Sequence, residues 1–270
     1  MTRRLLLRTT AVLALLGAAP LALSAQQGDA TSFEWNGAAG AGSWLTLRNL
    51  NGSVRIEGSS GNQVEVRATK RWRRGNPEDV EIRVTRYGAG DRDVLVCAIW
   101  DGAECDEDGY RSRNSDRRSR DNDNDVSVDF VVRVPRGVNV APGTVNGSVR
   151  IADVTGEVRA STVNGGVEAS SLGGPVTAST VNGDVDVRMA NLGDRDLTFN
   201  SVNGSVTVSL PEQLHADVEM STVNGSLRAD YPLTLSGRIN PRRIRATVGR
   251  GGPRLRFNTV NGSVTLKKGV

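Results

Sequence analysis

A short motif, Val-Asn-Gly, recurs through the C-terminal half of this chain and limits the folds that are open to it. Written from Val145, the sequence aligns without a gap in units of nine: VNGSVRIAD, VTGEVRAST, VNGGVEASS, LGGPVTAST and VNGDVDVRM. Each unit has an apolar residue at its first position, glycine at its third, valine at its fifth and alanine, valine or isoleucine at its seventh. A register this strict indicates a repeat architecture, in which each unit stacks on its neighbours.

Within each unit apolar and polar residues alternate, which is the period of a half-buried strand. Asn-Gly occurs in every second unit, so the full repeat is eighteen residues, with two strands and two turns of different type. Later repeats are longer: 21 residues separate Asn182 from Asn203, and 37 separate Asn224 from Asn261. A unit of this size buries its apolar face only by stacking. The sequence therefore predicts an all-β protein, a β-solenoid of two-strand coils. The alternative is an antiparallel sandwich of hairpins, since Asn-Gly also favours hairpin turns.

The Asn-Gly pairs are interpreted as corners of the coil. Glycine supplies a backbone angle that other residues resist, and asparagine tolerates similar angles. Stacked asparagine side chains are expected to hydrogen-bond to one another as a ladder. The predicted turn ladder consists of Asn51, Gly52, Asn146, Gly147, Asn164, Gly165, Asn182, Gly183, Asn203, Gly204, Asn224, Gly225, Asn261 and Gly262.

The N-terminal half is less regular but is also expected to be β. LNGSVRIEG at residues 50–58 is close to a copy of residues 145–153, so the solenoid is expected to start near residue 44. DVEIRVTRY, DVLVCAIW and VSVDFVVRVP read as further strands. Between the last two, residues 106–125 are almost all charged or polar, which predicts a solvated loop or a disordered segment. The predicted division is therefore an N-terminal β region over residues 44–143 and a repeat solenoid over residues 144–268.

The first residues have the layout of an export signal. Arg3, Arg4 and Arg8 precede an apolar run, and small residues close it near Ala25. This pattern predicts a signal peptide over residues 1–25, followed by a flexible segment over residues 26–43. An uncleaved anchor is the alternative, although the run is short for a membrane span. TRRLLLR also resembles a twin-arginine signal, so the export route stays open. The expected location is the periplasm or the cell surface, with no membrane span after cleavage.

Net charge bears on the class of partner, and cysteine content bears on the disulfide expected in an exported chain. The formal charge of +4 falls to +1 when the three leader arginines are removed, so the sequence does not favour a nucleic-acid partner. Cys97 and Cys105 lie close together in CAIWDGAEC. In an exported chain such a pair is expected to form a disulfide, the alternative being two unpaired thiols.

Metal, cofactor and catalytic sites are not predicted. A calcium-binding β-roll needs an acidic residue at a fixed place in every unit, whereas the residue after the Asn-Gly turn is acidic only at Asp184. DNDND at residues 121–125 begins like an EF-hand loop but lacks its glycine and its terminal glutamate. His215 is the single histidine and is interpreted as an edge or loop residue. Asp184 and Asp186 share a strand face, as the carboxylates of polysaccharide-cleaving β-helices do, but solvated strands carry such pairs as well.

Two basic stretches remain. They are KRWRRG at residues 70–75 and the arginines at positions 242, 243, 245, 250, 254 and 256. They would favour anionic polymers or lipid head groups. The preferred interpretation is protection of the solenoid ends, where charges prevent edge-to-edge pairing.

Taken together, the leader, VRVPRGVNV, and the runs VNGSVRI and STVNGGVEASSLGGPV resemble the DUF4097 family of bacterial adhesin-like β-strand repeat proteins. The resemblance covers roughly residues 44–266. It implies a β-solenoid-like domain in the cell envelope and brings no catalytic motif. The charged insertion and the cysteine pair depart from the simple family pattern.

The functional expectation is an exported, non-enzymatic envelope protein with an adhesin-like binding or structural role. The alternative is a scaffold or sensor module in envelope homeostasis, and a carbohydrate-active enzyme is less favoured. The partner is expected to be an envelope or surface protein or a glycan, with peripheral surface association as a further option. Ligands are expected on the outward faces and in the 106–125 loop.

Overall fold

The protein is built almost entirely of short strands. The structure, a computed structural model, describes residues 31–100, 103–112, 124–237 and 240–269. Two 3₁₀ turns (Pro77–Asp79 and Ala89–Asp91) interrupt the strands. The strands are β1 (Ser32–Ala38), β2 (Trp44–Arg48), β3 (Val54–Gly58), β4 (Gln63–Arg71), β5 (Val80–Tyr87), β6 (Asp93–Trp100), β7 (Ala103–Asp106), β8 (Gly109–Ser112), β9 (Ser127–Val134), β10 (Asn139–Asn146), β11 (Val149–Val154), β12 (Val158–Asn164), β13 (Val167–Ser171), β14 (Val176–Ser179), β15 (Val185–Met189), β16 (Leu197–Asn200), β17 (Val206–Leu210), β18 (Ala216–Ser221), β19 (Leu227–Ala229), β20 (Thr234–Leu235), β21 (Arg243–Val248), β22 (Arg254–Asn258) and β23 (Val264–Lys268).

Two long sheets face each other across one apolar core. The first, sheet A, has ten strands in the order β1-β4-β9-β3-β11-β13-β15-β17-β23-β19. The second, sheet B, has eleven in the order β20-β21-β18-β22-β16-β14-β12-β10-β2-β6-β5. Along the repeats each coil contributes one strand to sheet B and, after an Asn-Gly corner, one strand to sheet A, and equivalent strands pair in parallel. The predicted all-β solenoid is therefore confirmed.

The core follows from the alternation read in the repeats. The fifth and seventh positions of each unit point inward, so Val149 and Ile151 of one coil lie beside Val167 and Ala169 of the next. Small side chains keep the two sheets close. The first column, in contrast, turns outward at the Asn-Gly corners, and Val163 is 38 % exposed.

The order of the coils in space differs from their order in sequence at both ends of the stack. The coil of β22 and β23 lies between the β16–β17 coil and the β18–β19 coil. Phe257 of β22 stacks on Phe199 of β16, with ring centroids 5.2 Å apart. At the other end the β2–β3 coil lies between β6 and β9 on one side and β10 and β11 on the other. The 37-residue spacing before Asn261 therefore reflects a return of the chain into the stack.

Antiparallel strands complete both ends. At the N-terminal end β4 and β1 extend sheet A beyond β9, and β5 extends sheet B beyond β6. At the C-terminal end β21 and β20 extend sheet B beyond β18. These outer strands carry many charged residues and close the stack against further parallel pairing.

The prediction of a flexible segment over residues 26–43 is wrong for residues 32–38, which form β1. Phe33 and Trp35 pack against the core, and Glu34 and Asn36 alternate with them, which is the pattern of an edge strand. The predicted boundary between residues 143 and 144 falls inside β10. Residues 44–58 already form a coil of the same stack, since β2 and β3 pair with β10 and β11. The predicted signal peptide, residues 1–25, lies outside the described residues.

Candidate functional site

The Asn-Gly corners form one continuous ladder along an edge of the stack. Six hydrogen bonds of 2.7–2.8 Å join seven asparagines, and in each of them the side-chain N–H of one asparagine donates to the side-chain oxygen of the asparagine before it, counted from Asn51. The order in space is Asn51, Asn146, Asn164, Asn182, Asn203, Asn261, Asn224. The sequence order suggests that Asn224 is the neighbour of Asn203. In the structure the neighbour of Asn203 is Asn261 instead. Since each asparagine side chain is already hydrogen-bonded to another within the ladder, the ladder primarily fixes the spacing of the coils.

A second column of hydroxyl groups lies beneath the asparagines. In each repeat the residue two positions before the asparagine donates to a glycine carbonyl of the adjacent coil, as Thr162 does to Gly147 at 2.8 Å. The same bond, at 2.7–3.1 Å, is made by Thr144, Thr180, Ser201, Thr222 and Thr259. These hydroxyl residues are buried. Sequence analysis missed their role, although the recurring Thr or Ser was visible in every TVNG or SVNG.

The corner glycines are required by close approach more than by backbone angle. A Cβ atom on Gly165 would lie 2.1 Å from the carbonyl oxygen of Gly147 in the coil beneath. At all seven corners the corresponding distance to a neighbouring carbonyl is 1.8–2.1 Å, whereas only Gly52, Gly165 and Gly183 of these glycines have positive φ. The interpretation from backbone angle is therefore corrected: adjacent coils touch here through their backbones.

Beside the ladder runs a row of half-exposed aliphatic side chains. Exposure is 38–49 % for Val163, Val181, Val202, Val260 and Val223, which follow one another from coil to coil. Their regular spacing is a direct consequence of the asparagine ladder. The edge therefore presents alternating amide and aliphatic columns to solvent.

Cys97 and Cys105 form a disulfide that ties the β7–β8 hairpin onto the outer face of sheet B. Beneath the hairpin Leu95, Cys97 and Ile99 form a small second core. Residues 109–112, predicted to be part of a solvated loop, are a strand because Asp106 closes a tight turn by accepting from the Asp108 and Gly109 amides. Residues 113–123 of that loop, and most of the DNDND segment, lie outside the described residues.

The hairpin covers an arginine. Arg48 donates to the carbonyls of Ala141 and Glu107, and its Nε has no hydrogen-bond partner. Burial lowers the pKa of this guanidinium and raises the pKa of Tyr110, whose hydroxyl donates to the Ala98 carbonyl at 2.5 Å. Arg48 thus lies under the hairpin, and Tyr110 of β8 holds the hairpin against β6.

The basic stretch at residues 70–75 wraps around an acidic side chain. Asp125 accepts from the backbone amides of Arg73, Arg74 and Gly75, at 2.8–3.2 Å. These hydrogen bonds from backbone amides, that of Gly75 first, lower the pKa of the Asp125 carboxyl. Trp72 stands beside this loop and is 39 % exposed. The loop fixes one end of the charged segment that precedes β9.

Three arginines of the second basic stretch, Arg245, Arg254 and Arg256, line a cleft of about 400 Å³ on the outward face of sheet B, near its C-terminal end. We call it the arginine cleft; its charged and hydroxyl-bearing lining is Asp217, Glu219, Ser236, Arg245, Thr247, Arg254 and Arg256. Strand β18 brings the two carboxylates between β21 and β22, which carry the arginines.

Glu219 organises the guanidinium groups of the arginine cleft. Its Oε1 accepts from Arg243 and from Arg245 Nε at 3.2 Å, and its Oε2 lies 3.9 Å from Arg256 Nε. The hydrogen bonds from Arg243 hold the pKa of Glu219 below its usual range, against the opposing effect of burial. These arginines were predicted from the sequence to protect the end of the solenoid, but the acids between them were not predicted, because the pairing of β18 with two distant strands is not visible locally. The alternating arginines of RIRAT and RLRFN were the available signal.

The residues considered for catalysis are dispersed. Asp184 accepts from the Ser205 amide at 2.7 Å, and Asp186 pairs with Arg188 at 3.7 Å, both at sheet A. His215 is exposed at the start of β18 in sheet B, where its Nδ1 accepts from the Arg250 amide at 3.1 Å. Within residues 31–100, 103–112, 124–237 and 240–269 no group of three His, Cys, Asp or Glu side chains could hold a metal ion. In the same ranges no helix is long and apolar enough to cross a bilayer.

The fold and its ladder define a class: a two-sheet β-solenoid with Asn-Gly corners. The family model described as Toastrack DUF4097 matches residues 119–267, and the chain belongs to this family. No curated protein matches the chain.

Solved structures resemble the chain as well. A "putative cell adhesion protein" from Clostridium sporogenes ATCC 15579 is 14 % identical, with a TM-score of 0.50 over 88 % of this chain and 100 % of that one. A "putative adhesin" from Bacteroides fragilis NCTC 9343 is 10 % identical, with a TM-score of 0.27 over 88 % and 97 %. Another from Parabacteroides merdae ATCC 43184 is 10 % identical, with a TM-score of 0.23 over 90 % and 98 %. At these identities the first likeness supports the fold.

Proposed function

We propose that this chain is an exported, non-enzymatic module of the cell envelope with an adhesin-like binding role. The observation that carries the proposal is the interlocked corner, where asparagine amides and buried hydroxyls fix every coil against the next. Such a frame holds the outward side chains of both sheets at constant spacing and so presents a rigid, extended surface. Preorganised surfaces bind with little loss of conformational entropy.

Two further observations support this role. The Cys97–Cys105 disulfide is typical of oxidising compartments outside the cytoplasm, which agrees with a signal peptide over residues 1–25. The Clostridium sporogenes protein of similar fold is named for cell adhesion. The partner class that fits is an envelope or surface protein or a glycan.

A retention experiment tests the binding role. The exported protein is immobilised and incubated with fragmented native envelope, and retained material is identified by mass spectrometry and sugar analysis. The control is the same chain after reduction and unfolding, which has the same charge but has lost the fold. Selective retention by the folded protein is the expected result, and equal retention by both samples contradicts the proposal.

A second measurement separates binding from catalysis. Glycan fractions incubated with the protein are expected to keep their chain length, and Asp184→Ala with Asp186→Ala is expected to retain the same partner. Shortened glycans that disappear in this double variant would identify a carbohydrate-active enzyme instead.

N-terminal mass analysis of the exported protein is expected to locate cleavage near Ala25.

A further inference from the structure

We propose that the arginine cleft binds carboxylate-bearing sugars of an acidic polysaccharide, and that it is the ligand site of the binding role proposed above, on which this inference rests. The cleft combines exposed cations with hydrogen-bond acceptors and hydroxyl groups. An acidic sugar carries the complementary groups, a carboxylate and several hydroxyls, on one ring.

The cations lie at the surface and the acid beneath them. Arg245 and Arg256 side chains are 60 % and 46 % exposed, whereas Glu219 is only 20 % exposed. The Glu219 carboxylate therefore orients the guanidinium groups from below, and the cleft presents positive charge to solvent. Arginine forks bind carboxylates through paired, charge-assisted hydrogen bonds.

Arg254 is the best-placed group for a ligand. It is exposed, and among the described residues no ion pair of its guanidinium is found. Its backbone amide is fixed by the Asp196 carboxylate at 2.9 Å, so the start of β22 is held in place without use of the side chain.

The acceptors in the cleft favour a sugar over a simple polyanion. Across the three strands two rows form, Arg245–Glu219–Arg256 and Thr247–Asp217–Arg254. Asp217 accepts from the Thr247 hydroxyl through Oδ1 at 2.9 Å, and it is exposed. A sugar hydroxyl can donate to this carboxylate, whereas a sulfate ester group or a phosphodiester group offers no donor and is repelled by it. Ser236, across the cleft, adds another hydroxyl.

Calorimetric titration tests the proposal with three probes: oligogalacturonate, its methyl-esterified form and dextran sulfate. The full exported protein is compared with Arg254→Gln and Asp217→Asn. Arg150→Gln is the matched control, because Arg150 is an exposed arginine on sheet A, paired with Glu168 at 3.3 Å and remote from the cleft. Melting temperatures of all variants establish that each is folded.

Oligogalacturonate is expected to bind the wild type and the Arg150→Gln variant equally, and Arg254→Gln about tenfold more weakly, the usual effect of one lost charge-assisted hydrogen bond. Asp217→Asn is expected to weaken oligogalacturonate binding but to strengthen any binding of dextran sulfate. The esterified probe is expected to bind at least tenfold more weakly than the acid.

The proposal would be overturned by no oligogalacturonate binding by the wild type, by equal binding of the esterified probe, or by equal losses for Arg254→Gln and Arg150→Gln. Tighter binding of dextran sulfate than of oligogalacturonate would also overturn it. If Arg254→Gln still retains envelope material while sugar binding is absent, the assignment of the cleft as the ligand site is wrong. The proposed binding role then stands. If the wild type retains nothing from the envelope, the binding role itself fails.

Discussion

Each Asn-Gly corner meets two requirements that few residue pairs satisfy together. The asparagine must donate and accept along the stack through one short side chain, and the glycine must let the next backbone pass within contact distance. A longer amide such as glutamine would lose more rotamer freedom in the same row. At six of the seven corners a buried hydroxyl on Thr or Ser then donates to the glycine carbonyl, so that three separate groups fix the corner.

Replacing Gly165 with valine is expected to lower the free energy of unfolding by more than about 3 kcal/mol, because its Cβ would overlap the Gly147 carbonyl. Glu168→Ala serves as the comparison, since Glu168 makes an exposed pair with Arg150 that is worth under about 1 kcal/mol. Chemical denaturation of both variants gives the measurement. Equal midpoints would refute the role assigned to the corner glycine.

At this scale the sequence was informative about which residues recur and less so about why. The spacing of Asn164 and Asn182 predicted neighbouring positions in a stack, and the structure shows the bond between them. The close approach at Gly165 was not predictable, because it depends on the distance between two coils. The bond from Thr162 to a neighbouring carbonyl was missed for the same reason.

Among the elements, the β7–β8 hairpin depends most on a covalent link. Four residues per strand are too few for an isolated hairpin to be stable, and this one rests on a small apolar patch and the Cys97–Cys105 bond. Its strands were hidden in a sequence dominated by charges. Tyr110, which anchors the second strand, was the one apolar signal there.

Replacing Cys97 and Cys105 together with serine is expected to destabilise the hairpin by about 2–3 kcal/mol, the value for a short closed loop. Hydrogen exchange of backbone amides at residues 103–112 is expected to speed up, while amides at the asparagine ladder keep their protection. Loss of protection throughout sheet B would contradict this local role. The wild type under the same non-reducing conditions is the control.

Tyr231 links the end of the stack to β17 by donating to the carbonyls of Leu210 and Pro211. Burial, with the nearby Asp230 and Glu212 carboxylates, raises its pKa to about 12. Because the folded pKa exceeds the unfolded value of about 10, the stabilisation is complete below pH 10 and is lost as the pH rises towards 12.

Absorbance titration of tyrosine checks this assignment. The Tyr231→Phe variant is expected to lose an ionisation step near pH 12 and to show a smaller loss of stability between pH 10 and 12 than the wild type. Loss of a step at an ordinary tyrosine pKa would contradict it. Melting temperatures at pH 8 control for a general effect of the substitution.

For the molecule as a whole, the repeat register predicted a stacked all-β architecture correctly, because the period of apolar residues and the turn signals agreed. It did not predict that β22 and β23 return between earlier coils. Identical corners at Asn203, Asn224 and Asn261 offer equivalent neighbours, so the local sequence does not distinguish the possible orders. Contacts such as the Phe199–Phe257 stack select the observed one.

Removing residues 253–270 is expected to cause a large loss of stability in the whole C-terminal third. Strands β18 and β19 pair with β22 and β23, so they would lose their parallel partners in both sheets. Removing the final two residues alone is the control. Thermal unfolding followed by circular dichroism gives the readout, and a variant that loses only a few degrees would contradict the interleaved order.

The interleaved coils also affect the time at which the protein becomes complete. A solenoid built in sequence order can add each turn as the chain emerges from a ribosome or an export channel. Here the place of the β18–β19 coil is defined only once β22 and β23, which follow it in the chain, have arrived. Completion therefore comes after emergence of the last strand, and until then the edges of β16 and β17 stay open to other strands.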